Sequence, residues 1–304
     1  MKKTLLPLCL LTLAALFLTS CQTMESAANL ATAIGQGTGA ITDSQAESIR
    51  KTTKAVVRSA EEFTPEQEYY IGRTVGAVVL TKYRAYDEGQ VNQYLNILGQ
   101  TLAQASDLPS TFGGYHFLVL NSDDINAFAT PSGLIFVTRG LLRCCRNEDA
   151  LAAVLAHEIG HIELRLGMQA IEKARVTEAL TTLAAESAKT LGSREVAELT
   201  KTFEGAITDI TNTLINKGYA RSQEYQADQA SLTILKRVGY APNGLTEMLT
   251  LMKRNLKPGG ADFAKTHPSP DDRIAQIQKS APRYAAVPPP ASRQTRFQQA
   301  MGKI

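Results

Sequence analysis

The alternation of apolar and polar positions divides the chain into unlike parts. Met1-Lys2-Lys3 precedes an apolar run from Leu5 to Leu18, too short to remain in a bilayer. Residues 22 to about 60 hold no sustained period and are rich in Ala, Gly, Ser, Thr and Gln, which predicts a flexible tether grading into a helix. Gly35, Gly37 and Gly39 make no phosphate loop, because no strand precedes them and no Lys-Ser/Thr follows. Thr64-Pro65-Glu66 is a helix start, with Thr64 as N-cap and Pro65 in the first turn. Val91, Tyr94, Leu95, Leu98 and Leu102 recur at helical spacing and predict a helix from Glu88 to Ala105.

The period then changes. Tyr115 to Leu120 and Leu134 to Thr138 are β-rich, and the Asn126 to Gly133 stretch between them is turn-rich. No proline occurs between Pro131 and Pro242, so that long Ala-, Leu- and Glu-rich segment predicts mostly helix. Within it, Met168 to Lys217 predicts a hairpin that covers a cleft or meets a partner. Pro288-Pro289-Pro290 and the polar run to Ile304 predict an extended, loosely held tail. Helices, a small sheet, then more helices make an α+β pattern, predominantly helical. The expected divisions are a leader at 1–20, a tether at 21–60, one domain at 61–285 and a tail at 286–304.

Composition narrows the class. The chain has 304 residues, 44% apolar and 20% charged, enough for one large domain or two modest ones. Its formal charge of +3, from 32 basic and 29 acidic side chains, leaves no basic excess for nucleic acid. Four cysteines exclude a disulfide-dense scaffold. Cys144 and Cys145 are adjacent, and burial of at least one as a small apolar residue is expected. Leu18-Thr19-Ser20-Cys21 resembles a bacterial lipobox, which implies cleavage before Cys21 and a lipid anchor on it. Gln22, where an Asp would favour retention at the inner membrane, implies the periplasmic face of the outer membrane.

The chemistry is concentrated at His157-Glu158-Ile159-Gly160-His161. Asn147 can cap a helix whose first turn holds Glu148 and Asp149, with Leu151, Val154 and Leu155 on its buried face. His157 and His161, one turn apart, leave the same face and can grip one metal ion. Glu158 lies beside that metal, where it can take a proton from the attacking water. A catalytic zinc site needs a third protein ligand. Leu164 and Gly167 stand where a glycine and a histidine would complete one known pattern, so the ligand is expected from the Glu224-Tyr225-Gln226-Ala227-Asp228 helix. There Glu224 can bind the metal while Asp228 orients a ligating histidine. His116, in an apolar strand, is expected to be a satisfied or exposed histidine without a metal role.

Four ordered motifs resemble a known family: Asn126-Ala127-Phe128-Ala129 with Gly133 to Leu142, Asn147-Glu148 with HEIGH, EYQAD, and His267-Pro268 through Arg273. Together they resemble the gluzincin zinc metallopeptidases related to the CAAX prenyl protease and HtpX, in their soluble bacterial envelope-lipoprotein branch. The resemblance runs from about Glu66 to Ile274. It implies a zincin-like fold in which a small sheet packs on the HExxH helix, and one zinc ion per chain. It also implies an edge strand within Asn126–Thr138 that receives substrate, with Asn126, Ala127, Phe128 and Gly133 as its residues. Arg273 and His267 lie near the metal in that family, where either can stabilise an oxyanion. Their segment, Ser269-Pro270-Asp271-Asp272, is equally a helix start. Leu166 departs from the family, many members of which have a histidine there. The activity implied is a zinc metalloendopeptidase acting on unfolded or misassembled envelope proteins in quality control, with outer-membrane assembly machinery as a partner. The rival is a chaperone-like assembly factor whose zinc site is structural, or latent with His267 as a fourth ligand.

Overall fold

The computed structural model describes residues 21–60, 63–169, 211, 218–255, 266–267, 270–280, 289–302 and 304. The chain divides into two units, residues 1–62 with 171–206 and residues 63–170 with 207–304. The expected leader lies outside the described residues. So does the expected 168–217 hairpin, apart from residues 168, 169 and 211.

In the first unit the expected tether is a pair of helices, α1 (Cys21–Gly37) and α2 (Asp43–Ala60). Local hydrogen bonds override the composition. Thr42 and Gln45 form a reciprocal capping box, Gln45 N donating to Thr42 Oγ1 at 3.2 Å and Thr42 N to Gln45 Oε1 at 2.9 Å. Across the turn, Gln36 Nε2 donates to Asp43 Oδ1 at 2.8 Å.

The second unit opens with α3 (Pro65–Lys82) and α4 (Gly89–Ala103). Three strands follow: β1 (His116–Leu120), β2 (Ala127–Ala129) and β3 (Leu134–Thr138), in the order β1-β3-β2. β1 runs parallel to β3, Phe117 opposite Ile135, and β2 runs antiparallel to it, Phe128 opposite Phe136. The turn-rich reading of Asn126–Gly133 is thus corrected in its first half. Ala-Phe-Ala is too short to show a period, yet its two alanines face the core while Phe128 joins Val79, Leu120 and Phe136 on the other face. Gly133 belongs to the 3-10 turn Pro131–Gly133 and not to the edge strand.

After α5 (Arg139–Cys144) comes α6 (Glu148–Glu163), whose residues 148 to 162 are all buried. An amphipathic helix was expected. Here α6 is the central post of the unit, with α4, β2, α7 (Arg221–Arg237) and α8 (Asn243–Asn255) packed around it. α9 (Pro270–Ser280) and α10 (Ala291–Met301) complete the described part.

α10 corrects the expected loose tail. Phe297 and Ala300 are buried, and two arginines reach the acidic first turn of α6. Arg293 Nη1 meets Asp149 Oδ1 at 3.1 Å and its guanidinium lies 3.9 Å over the Tyr240 ring. Arg296 Nε donates to Glu148 Oε2 at 2.5 Å, and its Nη2 meets Glu148 Oε1. Glu148 is fully buried and also accepts from the hydroxyls of Tyr94 at 2.8 Å and Tyr240 at 2.6 Å. The tail's polarity, which reads as solvation in sequence, is the means by which a buried carboxylate is satisfied.

Removing one donor from that carboxylate should cost stability. Arg296→Ala is expected to lower the unfolding free energy by about 1–3 kcal/mol, read by urea denaturation. An unchanged midpoint would refute the clamp.

Candidate metal centre

α6 begins where Asn147 Oδ1 accepts the Ala150 amide at 2.8 Å and runs without a break through His157 and His161. Gly160 sets its approach to α7. A Cβ there would lie 3.0 Å from the carbonyl oxygen of Ala227 and 3.1 Å from the Ala230 side chain, so glycine and a small partner bring the two helices together. Glu224 and Asp228, one turn apart on α7, then face the two histidines.

The donors converge. His157 Nε2 is 3.1 Å from His161 Nε2 and 3.3 Å from Glu224 Oε2, and His161 Nε2 is 3.4 Å from Glu224 Oε1. Tetrahedral ligands held at about 2.0–2.1 Å from zinc stand about 3.3 Å apart, so this trio fits the ion. Both Glu224 oxygens are buried without a hydrogen-bond partner among the described residues, as expected of groups kept for a cation. His267 shares the cluster, all four donor atoms lying within 4.8 Å of one another.

A second layer fixes the first. His157 Nδ1 is 3.0 Å from Asp228 Oδ1, which turns Nε2 toward the site. Arg273, on α9 and fully buried, grips Asp228 with two bonds, Nε to Oδ2 at 2.9 Å and Nη2 to Oδ1 at 2.5 Å. Its Nη1 lies 3.7 Å from Glu224 Oε2. Arg273, expected near the metal, has its guanidinium held by Asp228 on the far side of the donor cluster. His267 Nε2 lies 3.9 Å from Glu158 Oε1 and 3.8 Å from Glu224 Oε1.

Burial sets the protonation states. It pushes the Glu158 carboxyl up to about 7, against the downward pull of His157, Arg273 and the Ala129 amide. Burial alone would depress His157, yet the nearby carboxylates of Asp228 and Glu224 raise it to about 9. His161 is held well below 6.5 by burial and then by the charges of His157 and Arg273. Burial opposes ionisation of Asp228, but Arg273 and His157 outweigh it and keep the carboxyl well below the usual range.

Two contributors carry no sequence signal of their own. Tyr219 stacks on His161 with ring centroids 4.1 Å apart, and Thr266 Oγ1 bonds His267 Nδ1 at 2.8 Å and Asn126 Oδ1 at 3.3 Å. A hydroxyl next to a candidate histidine was the one available hint. Elsewhere, His116 is exposed on β1, its Nε2 2.8 Å from the Gly113 carbonyl. Cys144 and Cys145 are both free thiols, with Cys145 buried against Leu141 and Met248. Leu166 is fully buried.

Comparison with known proteins agrees with this geometry. Residues 89–281 match the model of peptidase family M48. The chain belongs to that family. A beta-barrel assembly-enhancing protease of Escherichia coli (strain K12) is 27% identical over 218 residues, 70% of this chain and 42% of that protein. The protein of the same name in Yersinia pestis is 31% identical over 216 residues, 68% of this chain and 42% of that one. The metalloprotease LoiP of Escherichia coli (strain K12) is 26% identical over 163 residues, 54% of this chain and 61% of its own length. The chain thus spans 42% of the length of the first of these relatives. Zinc is the metal of the family, and the buried His157, His161, Glu224 and His267 group suits it.

Near pH 7 the metal-free site has a proton on each nitrogen of His157, because its pKa lies at about 9. A metal held at Nε2 would displace the proton there, while Nδ1–H keeps donating to Asp228. Zinc affinity should therefore rise with pH up to about 9, and binding near pH 7 should release at least about one proton per ion. Titration calorimetry in buffers of different ionisation enthalpy measures that proton, and a release of zero would contradict the assignment.

Proposed function

We propose that the chain is a zinc-dependent endopeptidase that hydrolyses peptide bonds in exported or envelope proteins. The observation that carries this reading is Glu158, its carboxyl fully buried next to the three-donor cluster with no side-chain hydrogen bond among the described residues. In the proposal His157, His161 and Glu224 hold the ion. Zinc, when bound, supplies Lewis acidity toward water and toward the scissile carbonyl.

Glu158 takes the proton of the attacking water and returns it to the leaving amine. A carboxyl pushed up to about 7 can both accept and give a proton near neutrality. Asp228 keeps the Nδ1 proton on His157, and Arg273 keeps Asp228 ionised and in place. His267 Nε2, on the Glu158 side of the cluster, is placed to donate to the carbonyl oxygen as charge builds there. The free edge of β2, at Ala127 and Phe128 with Asn126 at its end, takes the substrate main chain by strand addition.

A second reading is favoured by one observation. His267 belongs to the same donor group, and as a fourth protein ligand it would make the site latent. The chain would then act as a chaperone-like assembly factor. His267→Ala separates the two, since turnover rises if the histidine blocks the site and falls if it donates to the oxyanion.

The cellular setting is also proposed. Residues 1–20 act as a signal, Cys21 bears the lipid, and the protein sits on the periplasmic face of the outer membrane. Unfolded or misassembled envelope proteins are its substrates, and outer-membrane assembly machinery its partner. The names of the relatives, beta-barrel assembly-enhancing proteases, support this setting. None of the helices among the described residues is long and apolar enough to cross a membrane.

Glu158→Gln should retain one zinc per chain and lose casein cleavage by about 100-fold or more; cleavage at the wild-type rate would remove the general base from the mechanism. Cys21→Ala should abolish labelling by a radioactive fatty acid and release the protein from membranes, whereas persistent labelling would place the lipid elsewhere.

A further inference from the structure

A pocket lies beside His161 that no role above uses. Ala129 from the end of β2, Pro131 from the 3-10 turn after it, Ile162 from α6, Met168 and the ring of Tyr219 form its walls. Its cavity volume is about 10 Å³, room for one water- or methyl-sized group. Arg165 and Glu68 also line it and form an ion pair with each other, so these two charges are already matched.

The backbone around it is held in an unusual state. Among the described residues, Ser132 (φ 65°) and Arg165 (φ 52°) are the only non-glycine residues with positive φ, and both line this pocket. Glycine would adopt either conformation at lower cost. The surroundings enforce both: Thr111 Oγ1 donates to the Ser132 carbonyl at 3.0 Å, and the Arg165 amide donates to Ile162 O at 2.9 Å. Strain that surrounding structure enforces gathers where a ligand is gripped. Gly167 sets the depth, since a Cβ there would stand 3.3 Å from Pro131 Cγ and 3.5 Å from the Tyr219 hydroxyl.

Resting on the peptidase reading, we propose that this pocket receives the side chain of one substrate residue next to the scissile bond and selects a small, uncharged one. Position argues for adjacency to that bond, because His161 and the last residue of the receiving strand share its wall. Size follows from the volume and from the walls of Pro131, Met168 and Tyr219. Neutrality follows from the Arg165–Glu68 pair, because an acidic or basic side chain would have to break it to find a partner.

The test compares the full chain with its Gly167→Ala and Arg165→Gly forms on unfolded casein, with cleavage sites read by mass spectrometry. A peptide series that varies one residue supplies kcat/KM. Wild-type sites should share a small uncharged residue at one fixed position. Gly167→Ala should lower kcat/KM about tenfold for alanine there and spare glycine. Arg165→Gly should admit lysine at the same position, because Glu68 is left unmatched, with no loss of thermal stability because the left-handed position now holds glycine. Wild-type cleavage with both variants keeping its site profile would overturn the subsite and leave the peptidase reading standing. Absence of any cleavage that Glu158→Gln abolishes would overturn both.

Discussion

The close crossing of α6 and α7 at Gly160 is the constraint on which the site depends. Each helix alone offers half of a ligand set, two imidazoles on one and a carboxylate on the other. They form one donor cluster only because no side chain stands between the α6 backbone and Ala227. A Cβ at position 160 would push the helices apart by a distance comparable to the tolerance of a metal–ligand bond. That glycine sits between the two histidines of the motif, so catalytic spacing and packing are written in the same five residues.

Around this crossing the structure places charge where burial alone would forbid it. α6 is enclosed on every face, and its acidic first turn is enclosed with it. Glu148 survives there because two tyrosines and Arg296 surround it, and Asp149 because Arg293 and the Ala241 amide reach it. The last helix in the chain therefore supports the start of the helix that bears the histidines. A polar C-terminal segment acts here as a clamp on the core.

This explains what was legible in the sequence. Spacing of four puts His157 and His161 on one face by covalent geometry, and Asn147 announces the helix start; neither depends on tertiary context. Glu224 and Asp228 were legible through the same period, and the α+β order through the change of period at Tyr115. β2 was not, because three residues cannot display an alternation and their flanks are turn formers. α1 and α2 were legible only as a tether grading into a helix, because their ends are set by hydrogen bonds around Thr42 and Asp43, and α10 was not, because ion pairs to distant residues fix it. The place of Arg273 was half legible: the family resemblance set it near the donor cluster, but its grip on Asp228 is a contact between α9 and α7 that local pattern cannot encode. Tyr219 and the strained Ser132 and Arg165 belong to the same class.

The protonation states suggest how such a cluster can fold before it is loaded. Glu158, Glu224 and Asp228 are all buried together, and three like charges in one interior site would be prohibitive without compensation. Arg273 supplies one positive charge permanently. In the metal-free chain a proton on His157 supplies another, and Glu158, pushed up to about 7, is close to half neutral at that pH. A divalent ion brings two positive charges as the His157 proton leaves, and Glu158 is free to ionise. Arg273 and a protonated His157 thus offset the buried carboxylates in the metal-free chain, a role that a divalent ion at the same donors would share. With such an ion in place, an ionised Glu158 beside it would be the form able to accept a proton from water.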